Sequence, residues 1–330
     1  MSSPERGLTV AVTGPTGTFG SGLVPLLQDE PRVERVIGLA RRPFDPAERG
    51  WTKMTYRRGD VRDVDALRTS FENADVVVHL AFLIVGGGKE TTHAINVEGT
   101  LNAFRAAAEG GARRFVYASS IAAYGFHSDT PVGMTEEWAT RPADRLFYAQ
   151  EKAELEHLLE EEAASQPQTA LYLLRPPVVL GPDAVGAKVS VPTVLQPLVR
   201  GVGAGLRRLP GLPALVPDLP FQLIHQEDVA EALRLCVVGA GPPGAYNIAA
   251  DDVVTGVDVA RELGLRAVRV PGRPVAAAAR AVSNLPFLPS SAQWIEAISH
   301  PAIMDTTKAK TRLGWTPRHS AIESLRATVR

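Results

Sequence analysis

Three glycines spaced by three, Gly14, Gly17 and Gly20, limit the folds open to this chain more than any other feature. They follow the apolar run from Leu8 to Val12. They precede Ser21 to Gln28, where Leu23, Leu26 and Leu27 share one side at helical spacing. The pattern predicts a buried strand, a glycine-rich turn and a helix in direct succession. Each glycine has its own task in such a turn. Gly14 allows the tight reversal, Gly17 lets backbone approach a pyrophosphate, and Gly20 lets the helix pack on the strand. Phosphates would lie at the helix N-terminus, where free N–H groups and the helix dipole favour negative charge. Glycines also serve plain turns, so it is the flanking strand and helix that favour a dinucleotide cradle formed by Gly14, Thr16, Gly17, Thr18, Phe19 and Gly20.

The rest of the first half repeats the alternation. Strands are expected over Val33 to Ala40, Asp75 to Ala81, Phe115 to Ser119 and Ala170 to Arg175. Helices are expected around Leu67, Phe71 and Ala74, over Asn96 to Glu109, and over Arg145 to Ala164. Most of the strands are continuously apolar. The chain is therefore expected to be α/β, a Rossmann-type doubly wound parallel sheet covered on both faces, with a smaller C-terminal lobe. Such a sheet binds its ligand beyond the carboxyl ends of its strands. Prolines crowd Pro176 to Pro220 and the alternation stops there. The nucleotide-binding lobe is thus placed at 1–177 with about 223–250, and the substrate lobe at 178–222 and 251–330. His225 to Val238 (a helix after a strand end) and Gly244 to Ala249 (a strand) are the pieces that return to the first lobe.

Composition excludes several classes of function. With 330 residues, 45% hydrophobic, 22% charged and a net charge of -1, the chain has a soluble globular profile. Nothing in that balance calls for nucleic acid or an acidic membrane as partner. The single cysteine, Cys236, allows no intramolecular disulfide. The seven histidines show no metal-ligand spacing, so no metal is expected. The first residues carry no apolar signal core, and a cytoplasmic enzyme is the default expectation. Gly86-Gly87-Gly88-Lys89 lacks the rest of a phosphate loop and reads as a mobile loop.

The end of the second strand bears on which dinucleotide would bind. An acidic residue there would hold a ribose 2′-hydroxyl. This chain has Arg41 and Arg42, whose guanidiniums suit a 2′-phosphate or are simply solvated. NADP(H) is favoured over NAD(H) on this ground. Asp60 and Val61 follow a weaker strand and would flank the adenine, or form a surface loop.

Tyr148 and Lys152 are four apart on an expected helix and share one face. A tyrosine with pKa near 10 is a poor acid–base at neutral pH. A nearby ammonium favours the phenolate and is expected to lower that pKa. Ser120 lies just past a strand end, where it would hydrogen-bond a reacting carbonyl or alcohol oxygen. Asn96 would anchor a water relaying protons to Lys152. The pair by itself is compatible with an ordinary helix surface. Its order after the glycine turn and the Ser119-Ser120 pair favours catalysis.

Together these pieces resemble the extended short-chain dehydrogenase/reductase family, which includes nucleotide-sugar epimerases and dehydratases. The matching segments are Thr13 to Gly20, Gly59-Asp60-Val61, His79-Leu80-Ala81, Asn96 to Thr100, Tyr117 to Ser120 with Tyr124-Gly125, and Tyr148 to Lys152. Further on they are Leu174 to Pro177, His225 with Asp228-Val229-Ala230, and Leu313 to Pro317. The resemblance implies a Rossmann lobe, a Ser-Tyr-Lys site of Ser120, Tyr148 and Lys152, and cofactor contacts from Leu80 and Ala81. It also implies a homodimer through about Leu101 to Ala112 and Arg145 to Ala164. Sugar-nucleotide members of the family carry an arginine where this chain has Phe221, and a second one upstream of Asp305 to Lys308. Trp294 to His300 contains none. Losing two charged hydrogen bonds to a pyrophosphate costs several kcal/mol, at roughly 1.5–3 each.

The neighbouring stretch is apolar. Leu206, Leu209, Leu212, Leu215, Val216, Leu219 and Phe221 would line a greasy pocket or form the core of a small lobe. Phe82, Ser120, Phe221 and His225 are the candidate substrate contacts. Arg200, Arg207 and Arg208 keep phosphate binding open. The expectation is an NADP-dependent oxidoreductase acting on a carbonyl or secondary alcohol of a small, largely apolar molecule. Its rivals are a sugar-nucleotide epimerase or dehydratase with tightly bound NAD, and a non-catalytic cofactor sensor.

Overall fold

The computed structural model describes residues 6–84, 88–182, 184, 214–264, 266–270 and 300–329. The first glycine loop residues of 86–89, the apolar stretch from Leu206 to Leu212, Arg200, Arg207, Arg208 and the Trp294–Ser299 segment lie wholly or partly outside them. The strands that matter for the site are β1 (Leu8–Thr13), β2 (Val33–Ala40), β3 (Met54–Arg58), β4 (Val76–His79) and β5 (Arg114–Ala118). They continue with β6 (Val132–Met134), β7 (Ala170–Arg175), β8 (Val178–Leu180), β9 (Ala214–Pro217), β10 (Pro220–Phe221), β11 (Leu223–His225) and β12 (Gly244–Asn247). The helices among them are α1 (Thr18–Asp29), α2 (Val64–Phe71), α3 (Lys89–His93), α4 (Gly99–Glu109), α5 (Phe147–Ser165) and α6 (Gln226–Val237).

Seven parallel strands form the central sheet in the order β12-β7-β5-β4-β1-β2-β3. The chain runs outward from β1 to β3, then returns to place β4 on the other side of β1. That reversal opens a crevice at the carboxyl ends of β1 and β4, where open α/β sheets receive ligands. The apolar strands are explained by burial on both faces. Val10 and Val12 point into one core with Leu23 and Leu27 of α1 and with Val229 and Leu233 of α6. Ala11, between them, points into the other core with Phe71, Phe104 and Leu155 of α2, α4 and α5. Alternate side chains of a strand face opposite ways, so a strand covered on both faces must be apolar throughout.

Two parts of the chain beyond Arg175 complete this arrangement. The strand β12 pairs outside β7, from Gly244 opposite Tyr172 to Asn247 opposite Arg175. The helix α6 packs so closely on α1 that a Cβ on Gly22 would lie 3.2 Å from Ala230 Cβ. The segment around Trp315 then locks α6. Its indole donates to Asp228 O at 2.8 Å, and the Asp228 carboxylate accepts from the backbone N–H groups of Arg318 and His319. Outside the main sheet, β8 pairs with β11 and β6 with Ile303–Met304.

The expected helix from Asn96 to Glu109 is interrupted. Ala94–Glu98 is a π-helical turn between α3 and α4, with Asn96 and its neighbours buried. Such wide turns hold a side chain at an angle that a continuous α-helix would not give.

Candidate functional site

The glycine turn is built as its residues require. Gly14 has φ +69, and a Cβ there would crowd the backbone of Leu80 and Ala81 at 3.1–3.3 Å. A Cβ on Gly20 would lie 2.4 Å from Gly14 O and 2.5 Å from Pro15. A Cβ on Gly17, by contrast, would meet only Gly14 O at 3.4 Å. Gly17 caps α1 without any side-chain hydrogen bond, and the first turn of α1 carries no acidic residue. The amides at Thr18, Phe19 and Gly20 therefore open a helix whose N-terminal charge is not neutralised by the chain itself. A shape that excludes side chains at Gly14 and Gly20 and exposes free N–H groups fits the pyrophosphate of a dinucleotide.

Beside it, β4 ends in His79-Leu80-Ala81. Thr13 Oγ1 accepts from the N–H groups of Leu80 and Ala81 at 3.2 and 3.3 Å. The His79 ring bridges Thr13 and Thr100 hydroxyls at 3.0 and 3.1 Å. Burial, reinforced by the Lys152 charge, pushes the His79 pKa down to about 3, so it is a neutral brace between β1 and α4.

At the edge of the sheet, Arg41 and Arg42 are exposed beyond the end of β2. Arg58, at the last position of β3, donates through Nε to Arg41 O at 3.1 Å. Tyr56 hydroxyl donates to Arg42 O. The Asp60 carboxylate is held by Arg62, through Nε at 3.0 Å and Nη2 at 2.9 Å, which lowers its pKa. Val61 is buried and packs where a Cβ on Gly99 would sit. Arg58 was not singled out from the sequence. Its signal is the parallel register of β2 and β3, which sets it opposite Ala40.

The third group of residues lies across the crevice on α5 and at the end of β5. The Ser120 side chain lies near enough to the Tyr148 hydroxyl to act against the rise in its pKa. Ser120 also caps the turn after β5, accepting from Ala122 N–H at 3.1 Å. Lys152, one turn along α5 and 2% exposed, donates to Tyr117 Oη and to Ala118 O, both at 2.8 Å. The Phe82 ring covers the same ammonium, 3.7 Å from Nζ to its centroid, and meets the Tyr148 ring edge-on at 5.6 Å. The structure thus brings Phe82, Ser120, Tyr148 and Lys152 together, with Tyr117 as a fifth member that the sequence did not point to.

Their ionisation differs from the sequence expectation. Burial pushes Tyr148 up to about 12, against the smaller opposing effect of the nearby Ser120. Burial also pulls Lys152 down to about 7, although Glu156 and Glu151 oppose the shift. Burial is the dominant effect on the phenol, and the Lys152 ammonium donates to Tyr117 and Ala118 instead of to Tyr148. Tyr148 is therefore a neutral phenol at pH 7.

Asn96 sits within reach of this group by a different route. Its Oδ1 accepts from Leu83 N–H at 2.7 Å, and its Nδ2 donates to Leu83 O at 2.9 Å and to Glu151 Oε2 at 2.8 Å. Both amide hydrogens are in use, so they offer nothing to a relay water. Behind α5, Glu156 and Arg175 form a buried ion pair. Arg175 Nε lies 3.0 Å from both carboxylate oxygens, and Ser119 donates to Glu156. Arg175 Nη1 donates to Tyr124 Oη at 2.7 Å, and that hydroxyl donates to Asn247 Oδ1 at 2.8 Å.

The other two substrate candidates are placed elsewhere. Phe221 packs with Leu223, Ala250, Val254 and Ala321. His225 accepts the Glu227 N–H through Nδ1 at 3.3 Å and stacks on His319 with centroids 4.0 Å apart. Neither has a hydrogen bond or ring contact with Phe82, Ser120 or Tyr148 among the described residues. Although the sequence shows no metal-ligand spacing, the fold brings donor atoms of His225, Glu227 and His319 within 4.8 Å of one another. The His225 and His319 Nδ1 atoms there already face Glu227 N–H and Asp228. Among the described residues, no helix is long and apolar enough to cross a membrane.

Comparison with known proteins gives consistent findings. A family model described as the NAD dependent epimerase/dehydratase family matches residues 10–249. The chain is 26% identical over 330 residues to the uncharacterized protein Rv0501 of Mycobacterium tuberculosis, covering 97% of this chain and 83% of that one. It is 30% identical over 179 residues to a Methylococcus capsulatus protein named sterol demethylase protein B, covering 53% of this chain and 52% of that one. Among solved structures, MoeE5 in complex with UDP-glucose and NAD is similar with a TM-score of 0.68 and 25% identity, over 97% of each chain.

Proposed function

The chain belongs to the NAD-dependent epimerase/dehydratase family, and from that premise we propose that it is an NADP-dependent oxidoreductase acting on a carbonyl or secondary alcohol of a small, largely apolar molecule. The observation that carries this reading is the grouping of Tyr148 with Ser120 and with buried Lys152, one turn along the same helix, under the Phe82 ring. When bound, the nicotinamide supplies or accepts the hydride at the substrate carbon. The chain's residues hold the cofactor and manage the proton. Gly14, Thr16, Gly17, Thr18, Phe19 and Gly20 would cradle the pyrophosphate, with Leu80 and Ala81 alongside. Arg41 and Arg42 would meet a 2′-phosphate, and Asp60 and Val61 would flank the adenine.

Ser120 Oγ would hydrogen-bond the reacting oxygen and polarise it. Tyr148 Oη would carry the proton to that oxygen, or take it in the reverse direction. Its high pKa suits donation, because an alkoxide developing on a reduced carbonyl is more basic than a phenolate. Lys152 would hold the ribose, and Phe82 would cover the nicotinamide face. Phe221, half-buried beside apolar neighbours, leaves the place of a pyrophosphate-binding arginine uncharged. That favours an apolar substrate, as does the relative named for sterol demethylation.

Tyr148→Phe tests the assignment. Turnover on a responsive carbonyl should fall by about 10²–10⁴-fold, the usual contribution of a positioned acid–base group, while cofactor affinity stays within about twofold. Turnover close to wild type would remove Tyr148 from the chemistry. A second reading, a sugar-nucleotide epimerase or dehydratase retaining NAD, is favoured by the likeness to MoeE5 with UDP-glucose and NAD. Purified protein that carries bound NAD and is stabilised against heat by UDP-sugars would select it.

A further inference from the structure

Glu151 lies inside the turn that joins Tyr148 to Lys152, yet the chemistry above gives it no task. It is 1% exposed, although carboxylates are seldom buried without a strong partner. Its Oε2 accepts from Asn96, and its Oε1 is buried with no hydrogen-bond partner among the described residues. Packing alone would favour an apolar side chain here. The carboxylate is explained by what it does to the Asn96 amide.

That amide touches three groups. Leu83 N–H needs an acceptor, Leu83 O needs a donor, and Glu151 Oε2 needs a donor. Only one orientation satisfies all three. Turned over, the Asn96 carbonyl would face the carboxylate and its NH2 would face the Leu83 N–H. The Leu83 backbone pair selects this orientation, and Glu151 anchors the same amide from the other side with a third hydrogen bond. Asn96 in turn binds the Leu83 backbone as an adjacent strand would, and Leu83 follows Phe82, the ring that lies over Lys152 and against Tyr148.

We infer that Glu151 is a positioning residue for the nicotinamide end of the cofactor site: by anchoring the Asn96 amide it steadies Leu83 and keeps Phe82 against Tyr148 and Lys152. The inference rests on the cofactor placement proposed above, but it is tested by binding, so its failure and that of the oxidoreductase reading are separate results. The linkage joins three elements. Glu151 is on α5, Asn96 on the π-helical turn, and Phe82 on the segment leaving β4. None of them lies at the adenine end, so loosening the linkage should weaken only contacts to the nicotinamide half.

The experiment compares dissociation constants of NADPH and of 2′-phospho-ADP-ribose, which lacks the nicotinamide, in full-length wild type and in Glu151→Ala, Glu151→Gln and Asn96→Ser; NADH and ADP-ribose serve as a parallel pair. In Glu151→Ala the dinucleotide should bind about three- to tenfold more weakly, the effect of one lost hydrogen bond, while the fragment changes by less than twofold. Glu151→Gln keeps an oxygen for Asn96 and should stay within twofold of wild type for both ligands. Asn96→Ser removes the same linkage from the other side and should repeat the alanine pattern, which also decides the matter should the alanine variant not fold. Equal weakening of dinucleotide and fragment, an unchanged ratio, or a glutamine variant as impaired as alanine would each overturn the inference.

Discussion

Lys152 has three ammonium hydrogens and three neighbours: Tyr117 Oη, Ala118 O and the face of Phe82. Burial lowers its pKa from 10.5 to about 7. The ammonium is thus present below about pH 7 and is lost as pH rises above it. Cofactor affinity, where it depends on that charge, should decline from about pH 6 to pH 9, and titration of Lys152→Met by fluorescence should show no such decline. The same shift has a sign for folding. Between about pH 7 and 10.5 the unfolded chain binds a proton that the folded chain does not, so this group's contribution to stability rises with pH across that window. At the other end of the crevice, exposed Arg41 and Arg42 set a separate expectation. Replacing both with Ala should weaken NADPH by at least about tenfold, one charged hydrogen bond or more, and leave NADH nearly unchanged in a thermal-shift comparison. The spacing of Tyr148 and Lys152 was legible in the sequence because a helix repeats every 3.6 residues. The Tyr117–Lys152 contact was not, because it joins a strand to a helix and leaves no periodic mark.

The turn between β1 and α1 shows how far a local pattern can carry. Its glycines predicted a strand, a reversal and a helix, and each element is where the spacing placed it. Gly14 adopts φ +69, which costs an L-residue about 1–2 kcal/mol, and its missing Cβ leaves room for the backbone at Leu80 and Ala81. Gly14→Ala should therefore lower the midpoint of thermal unfolding by several degrees and weaken cofactor binding more than tenfold, as followed by calorimetry and cofactor fluorescence. The elements the sequence showed least well are those whose form depends on distant partners. The strand β3 reads Met-Thr-Tyr-Arg-Arg, with one deeply buried side chain, because it is the outer strand of the sheet. The π-helical turn at Ala94–Glu98 carries Asn96, whose partners Leu83 and Glu151 lie 13 and 55 residues away, beyond any window of local sequence.

Across the whole molecule, Glu156 and Arg175 join parts that are far apart in sequence. Through Ser119, Tyr124 and Asn247 the pair links α5, the ends of β5 and β7, and β12, and Asn247 Nδ2 continues to Met134 O and Asp305 O at 3.0 and 3.3 Å. Removing one member leaves a buried charge without its partner, which costs about 3–5 kcal/mol. Arg175→Leu should be destabilised by that amount in urea unfolding, with loss of turnover following from misplacement of α5. The sequence motif Leu174 to Pro177 marked this arginine without indicating its partner, since Glu156 is one of many glutamates on α5 and only the fold turns it inward.

The outer position of β12 has a consequence for how the protein is made. Until Gly244–Asn247 has been synthesised, β7 has a bare edge, and the helix that covers α1 is not yet held by Trp315. A nascent chain that already contains the glycine turn and the Tyr148–Lys152 helix therefore still displays an apolar strand with one unpaired edge, a ready template for intermolecular pairing. The segment from Gly244 to Trp315 works as a closure for the first half, and the crevice is complete only once that segment has been made.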